Sequence, residues 1–500
     1  MIDRRTTSSE LLQATCARFL SSSSIARQLE FSKIGTDSRK DLRGALFWAL
    51  AGETHDGHEF LKMAVDQGAA GLVVHKIDPI VEGLAEKVAV FLVPDTLVAL
   101  QDLARSHRKQ LQGPVIGVTG SNGKTSTKEF LAAMMSPYRK VHWSLGSFNN
   151  HWGVPVSLLS APLDSEVIIL EMGMNHEGEL RDLCRIAFPD VVACTLVGKT
   201  HMEHFGSVDK IAAAKNEIYL DSPAEATRIY NLDNPWTLAM AASALADYPQ
   251  AKSIFGFSEK LSGGGSGALP EVRVSFRFTG QSGEGVKIEG QIDGQAGTAI
   301  LPVLGAHHAI NAMAAAAMAL AVGLTPLEIW QALPHCRSAW GRMQLLKAAA
   351  THALSPQAAT VLFDGYNASP DSYRVLLENG PSVADSLKAE KIFGVFAEMK
   401  ELGVAAAAEH AALGRQAAAM TGKAFEKIWF YGPSHAAFRE AFLSAGGSAL
   451  ALITSEDFDL NIAQSVVDEL HESDLVFVKG SRGMKTERFV QLLIPGFSKS

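Results

Sequence analysis

GVTGSNGKTST, residues 117–127, is the stretch whose reading decides the fold. The apolar residues before it read as a strand, and TSTKEFLAAMM after it reads as a helix. A glycine-rich turn between a strand and a helix is the context in which phosphate is bound. Gly120 and Gly123 let the backbone turn so that successive N–H groups point at phosphate oxygens. The helix dipole adds positive potential at the same place. The nucleotide-facing turn is read as Gly120, Ser121, Asn122, Gly123, Lys124, Thr125 and Ser126. Lys124 is placed to reach the β- and γ-phosphates of ATP, and the Thr125 hydroxyl to ligate Mg²⁺. The strict phosphate-loop pattern asks for glycine where this chain has Val118, so the loop is a variant built on Gly117 and Gly120. The plain alternative is an ordinary strand–turn–helix with a surface lysine.

Working outward, SEVIILEMG and DVVACTLVG are two more short apolar runs that end abruptly in polar residues. They predict an α/β unit with a parallel sheet covered on both faces. Residues 258–300 follow a different pattern. There a Gly- and Ser-rich loop precedes VRVSFRF and VKIEGQI, which alternate like antiparallel strands and predict a small annex. Upstream, GALFWAL, FLKMAVDQGA, AGLVVHK and VAVFLV predict a small mixed α/β domain. Downstream, TVLFDGY, KIFGVFAEM, KIWFYGP and DLVFVKG predict a second doubly wound α/β domain of Rossmann type. The chain of 500 residues is thus divided into domains at 1–95, 96–335 and 336–500, in keeping with about 150 residues per domain.

Composition narrows the function classes. Hydrophobic residues make up 47% and charged residues 20%, a globular balance. Lys+Arg is 45 against Asp+Glu 53, a net charge of −8, which argues against a nucleic-acid-coating surface. The four cysteines, Cys16, Cys184, Cys194 and Cys336, form no CxxC pair, so neither a disulfide scaffold nor a zinc ribbon is expected. The N-terminus lacks the apolar core of a signal peptide, and the alanine-rich run Ala309–Leu324 contains Asn311, so a buried helix is expected there and no membrane span. Residence in the cytoplasm follows as the expectation.

Other chemistry-bearing residues are ambiguous on spacing alone. Glu171 ends the strand VIILE and His201 lies just beyond VVACTLVG; strand carboxyl ends converge on the ligand crevice, where the two could hold a divalent ion. A helix-capping Glu171 and a hydrogen-bonded core His201 are the plain alternatives. Lys215 in IAAAKNEIYL reads by itself as a surface lysine. His55, His58, His307 and His308 show no acid or cysteine partner at ligand spacing and are read as structural.

Taken together these residues resemble the Mur ligases, ATP-dependent amide-forming enzymes of peptidoglycan synthesis. TGSNGKTS is similar to the family's phosphate loop, LEMGMNHEGEL to the segment with its metal-binding glutamate, and THMEHFGSVDKIAAAKNEIY to the segment with its metal-binding histidine and carbamylated lysine. The resemblance implies that Glu171, His201 and Lys215 hold metal, Lys215 as a carbamate beside a second Mg²⁺. It also implies catalytic roles for Lys124, His201 and Lys215. Within the family, SFNNHWGVPVSLL, FDGYNASPDS, FAEMKELG and KGSRGMKTE are similar to the branch that adds D-alanyl-D-alanine to a UDP-N-acetylmuramoyl-tripeptide. The resemblance then places Asn149, Asn150, Asn367, Lys479, Ser481 and Arg482 at the substrates, and Asn311, Arg342 and Asp364 at the nucleotide. TDSRKDLRGALFWAL resembles the family's uridine-nucleotide domain, which implies that Asp37, Ser38 and Arg39 lie near UDP.

Three departures stand out: Met343-Gln344 where the family often has xE after Gly-Arg, His308 where it has asparagine, and a Gly- and Ser-rich insertion around 262–267. The implied chemistry is carboxylate attack on the ATP γ-phosphate, then capture of the acyl phosphate by the amine of D-Ala-D-Ala. A hinge near residues 334–341 is expected to close the lobes and expel water. A monomer is expected. The rivals are a sister ligase adding another amino acid, a P-loop kinase or ATPase, and a non-catalytic relative.

Overall fold

The computed structural model describes the chain except residues 22–28, 53–54, 147, 201, 261–268, 348–358, 422–424 and 499–500. His201 and the 262–267 insertion therefore lie outside the described residues. The architecture is mixed α/β, with three sheets dominated by parallel pairing.

The first sheet has strand order Arg18–Phe19, Ala89–Leu92, Gly71–Val74, Ala45–Trp48, Lys33–Gly35. All its pairings are parallel except that of Arg18–Phe19. Its inner strands Ala45–Trp48 and Gly71–Val74 are buried along their whole length, which is why they read as unbroken apolar runs. Helix Thr96–Arg108 follows, capped by the Asp95 carboxylate, which accepts from Leu97 N and Val98 N. Its apolar face, Leu100, Leu103 and Ala104, packs in one core with Leu158, Leu159 and Ile186 of the next unit.

The central sheet has nine strands in the order Gln295–Leu301, Gly285–Ile292, Glu271–Ser282, Ile254–Phe257, Thr227–Asn231, Val191–Cys194, Val115–Thr119, Val167–Glu171, Val141–Trp143. The run from Val141 to Glu271 is parallel; the last two pairings are antiparallel. The expected antiparallel strands are present as an annex on this sheet. They extend the sheet itself, with a third strand, Gln295–Leu301. After Val115–Thr119 the chain runs to one side, then returns to place Val191–Cys194 on the other. That is a topological switch point, and the glycine turn sits on it. Helix His308–Ala321 crosses beneath, with Ala312–Ala319 fully buried against Phe130, Leu131 and Met134. Its small side chains permit that close approach. Among the described residues no helix is long and apolar enough to cross a membrane.

The last sheet runs Gln344–Lys347, Thr360–Asp364, Leu475–Lys479, Ile392–Ala397, Phe425–Tyr431, Leu452–Ser455. The four expected strands form its parallel centre. Gln344–Lys347, antiparallel, and Leu452–Ser455 are added at its edges.

Candidate active site

The turn after Val115–Thr119 is held in a shape only glycine takes without strain. Gly120 has φ +148°, and Gly123, the residue before helix Lys124–Met135, has φ +83°. A Cβ on Gly123 would run into the Asn311 side chain. Val118 is no obstacle, because it is the last but one residue of the strand, fully buried and paired with Glu171 on one side and Ala193 on the other. The turn is pinned to the segment beyond Val191–Cys194. Ser121 N donates to Leu196 O at 2.8 Å, Ser121 Oγ accepts from Gly198 N at 2.9 Å, and Thr195 Oγ1 donates to Asn122 O at 2.5 Å. Lys124 folds back so that Nζ donates to Gly120 O at 2.7 Å; burial lowers its pKa.

One turn along the same helix face lies Lys128, wholly buried. Its Nζ donates to Ser144 O at 2.6 Å and Gly146 O at 2.7 Å, and sits 3.0 Å from Glu129 Oε1 and 3.9 Å from Glu171 Oε2. Glu171 is 1% exposed, neither a helix cap nor a surface acid. Asn149 Nδ2 donates to its Oε1 at 2.9 Å, while Oε2 has no hydrogen-bond partner. Thr125 Oγ1 is likewise buried without a partner. Unsatisfied buried oxygens are costly. Two of them beside a phosphate-type turn form a hard-oxygen donor set of the kind a magnesium ion takes, so the residues present fit that ion. Lys215 is 1% exposed rather than on the surface; burial lowers its pKa to about 7, and the charge of Lys124 acts in the same direction. Among the described residues no cluster of three or more His, Cys, Asp or Glu is arranged as a metal site.

Two adjoining cavities open between the central and last sheets. The larger, about 460 Å³, is lined by Asn122, Gly123, Ser126, Trp236, His307, His308, Asn311, Arg342, Asp364, Asn367, Asp371 and Lys479, among others. The smaller, about 300 Å³, is lined by Ser121, Lys124, Asn149, Glu171, Arg342, Asn367, Glu401, Ser481 and Arg482, among others. Arg342 and Asn367 belong to both. The Arg342 guanidinium lies 4.5 Å from the Tyr366 ring centre. Asp364 and Lys479 face each other in strand register, and Lys479 Nζ donates to Asp364 Oδ2 at 2.5 Å and to Asn367 O at 3.2 Å. Burial lowers the Lys479 pKa against the pull of Asp364. Arg482 lies 4.7 Å from the Trp340 ring centre and donates to Glu487 at 2.6 Å, and Ser481 Oγ accepts from Lys400 N at 2.9 Å.

The structure thus brings together the turn, Asn149, Glu171, Asn311, Arg342, Asp364, Asn367, Lys479, Ser481 and Arg482. Asp37, Ser38 and Arg39 line neither cavity. Arg39 Nε forks onto Asp37 at 2.8 Å, lowering the Asp37 pKa to about 2, and Ser38 Oγ donates to Met63 Sδ at 3.4 Å. Asn150 also lines neither; its Oδ1 accepts from Gly153 N at 2.9 Å at the start of helix Gly153–Leu159. His307 and His308, read as structural, are in the larger cavity wall, where burial pushes the His307 pKa down to about 4 and the His308 pKa well below its usual value. His58 does have an acid partner, Asp56, at 2.7 Å. Lys128, Asp371 and Glu401 were missed. Lys128 carried a signal, since it stands four residues after Lys124 on the same helix face.

Comparison with known proteins bears on the whole chain. Family models match at residues 30–108 (Mur ligase family, catalytic domain), 118–319 (Mur ligase middle domain) and 341–482 (Mur ligase, glutamate ligase domain). The chain is 33% identical over 461 residues to the UDP-N-acetylmuramoyl-tripeptide–D-alanyl-D-alanine ligase of Bacillus subtilis, covering 92% of this chain and 93% of that protein. The crystal structure of MurF from Acinetobacter baumannii is similar with a TM-score of 0.81 at 26% identity, over 98% of this chain and 99% of that one. MurF from Thermotoga maritima, solved in complex with ADP, shares the fold with a TM-score of 0.73 at 24% identity, over 92% and 96% of the two chains.

Proposed function

The chain belongs to the Mur ligase family, and from that premise we propose that it joins D-alanyl-D-alanine to a UDP-N-acetylmuramoyl-tripeptide at the expense of ATP. The observation that carries the reading is the pair of adjoining cavities walled jointly by the glycine turn and by the last sheet. One takes the nucleotide and the other the reacting ends.

In this reading residues 1–95 bind the uridine nucleotide, with Asp37, Ser38 and Arg39 beside it; 96–335 bind ATP; and 336–500 close over both. ATP enters the larger cavity, its base side against Asn311 and its phosphates on the turn Gly120–Ser126, where the Ser121 N–H is already given to Leu196 O and the N–H groups from Asn122 onward face the phosphates. Arg342 and Asp364 reach it from the other sheet. Thr125, Glu171 and His201 would hold one Mg²⁺, and a carbamate on Lys215 would help hold a second. Such ions would supply charge neutralisation as two anions approach. Lys124 releases Gly120 O and turns its ammonium to the γ-phosphate. The tripeptide carboxylate attacks that phosphorus, forming the acyl phosphate and releasing ADP. The neutral amine nitrogen of D-Ala-D-Ala then bonds to the acyl carbon, phosphate leaves with the C–O bond electrons, and the nitrogen passes its proton to water. Asn149, Asn367, Lys479, Ser481 and Arg482 position the two substrates, and Asn150 acts only by anchoring the segment that holds Asn149. Positioning and electrostatics do most of this work.

Burial supports the carbamate, because attack on CO₂ requires a neutral amine and Lys215 is shifted to about 7. The site of action is the cytoplasm, and the working form a monomer. The test is a coupled phosphate-release assay crossing UDP-muramoyl tripeptides with D-Ala-D-Ala and with single amino acids. Phosphate release and a new amide only with D-Ala-D-Ala are expected. An amide with a single amino acid would make the chain a sister ligase, and phosphate without amide an ATPase. Small-angle scattering should show compaction, through a hinge at 334–341, when ATP analogue and substrate are added; identical profiles would remove the closure step.

A further inference from the structure

We propose that Lys128 is a positioning residue for the divalent cation, and that it acts by tethering the turn at Ser144–Gly146 so that one chosen oxygen of Glu171 is left free. The proposal rests on the reading of Glu171 as a metal ligand.

Lys128 has no exposed surface, and a buried ammonium is retained only where its donors are used. Its two shortest bonds go not to an acid but to main-chain carbonyls, Ser144 O at 2.6 Å and Gly146 O at 2.7 Å. That turn is coupled to Glu171 in two ways. Ser144 Oγ accepts from Glu171 N at 3.3 Å, fixing where the strand ends. Asn149, three residues beyond Gly146, donates to Glu171 Oε1 at 2.9 Å and accepts through its own carbonyl from Gly173 N at 2.7 Å. Oε1 is thereby engaged, and Oε2 is the oxygen without a hydrogen bond. Lys128 stands 3.9 Å from Oε2, beyond bonding range, so it aims the carboxylate without occupying it. The phosphate-loop helix carries Lys124 in its first turn and Lys128 in its second, and so links phosphate binding to the orientation of the acid across the sheet.

The test measures Mn²⁺ binding to the full chain with ADP by electron paramagnetic resonance, together with the Mg²⁺ dependence of phosphate release. Lys128→Met should weaken Mn²⁺ binding by roughly 10–100-fold, the usual loss when a partner of a metal ligand is removed, with ADP affinity in EDTA unchanged. Asn149→Ala should give a similar loss, and the double variant should be no weaker than the weaker single one. A lower melting temperature of Lys128→Met with Mn²⁺ binding unchanged would overturn the proposal, as would additive losses. Should Lys128→Met fail to fold, Ser144→Ala keeps the lysine and removes the bond to Glu171 N. Weakened Mn²⁺ binding is then expected, and unchanged binding overturns the proposal. Glu171→Gln separates the two readings: if it loses Mn²⁺ while Lys128→Met does not, only the positioning role falls. If Glu171→Gln binds Mn²⁺ normally, both fall.

Discussion

Replacing Lys479 by methionine should destabilise the protein far more than an ordinary substitution. Lys479 closes strand Leu475–Lys479 with no exposed surface, and Asp364, 8% exposed, stands directly across from it. Without the ammonium, Asp364 keeps the backbone donor Met343 N at 3.3 Å and loses its bond at 2.5 Å. Leaving a buried charge without its counter-ion costs about 3–5 kcal/mol. At roughly 2–4 °C per kcal/mol for a unit of this size, the melting temperature should fall by roughly 6–20 °C. Adding Asp364→Asn to the same chain removes the orphaned charge, so the double variant should regain most of that loss, although not the activity. Differential scanning calorimetry of the wild type, both singles and the double closes the cycle. If Lys479→Met melts within about 2 °C of wild type, well short of the buried-pair cost, or if the double is as unstable as Lys479→Met, the buried-pair reasoning is wrong.

Lys124→Ala should abolish ATP-dependent ligation and leave the circular dichroism spectrum unchanged, since the bond given up is a local one to Gly120 O. Lys215→Ala should be partly rescued by short carboxylates in the phosphate-release assay; full activity without rescue would exclude a carbamate role. Gly123→Ala forces a side chain into φ +83° and onto Asn311, and should weaken ATP binding measured by titration calorimetry. His107 and His307 are kept neutral by burial, each with its pKa lowered to about 4, whereas the unfolded chain takes up those protons below about 6.5. Stability should therefore fall as pH is lowered from about 6.5 to about 4 and level off below that. His107→Gln should make the fall shallower in melting experiments.

The order of strands and helices was legible because buried parallel strands carry unbroken apolar runs bounded by polar turns. GVTGSNGKTST was legible because its glycines are demanded by backbone shape. The two edge strands of the last sheet were not, since QLLK and LITS are short, half-buried and lack a clear alternation. Nor was the continuity of the antiparallel strands with the central sheet, which depends on the pairing of Ile254–Phe257 with Glu271–Ser282 across a register shift. In the site, residues at strand ends could be placed in outline. The burial of Lys128 could not, because it is set by carbonyls at Ser144 and Gly146 that no spacing rule brings near. His307 and His308 resembled core residues for a similar reason: their cavity exists only once the two sheets face each other.

Arg342 forms a party wall, propped on Tyr366 with one chamber on each side. Displacing its guanidinium from the larger chamber would therefore reshape the smaller one as well, because the same side chain lines both.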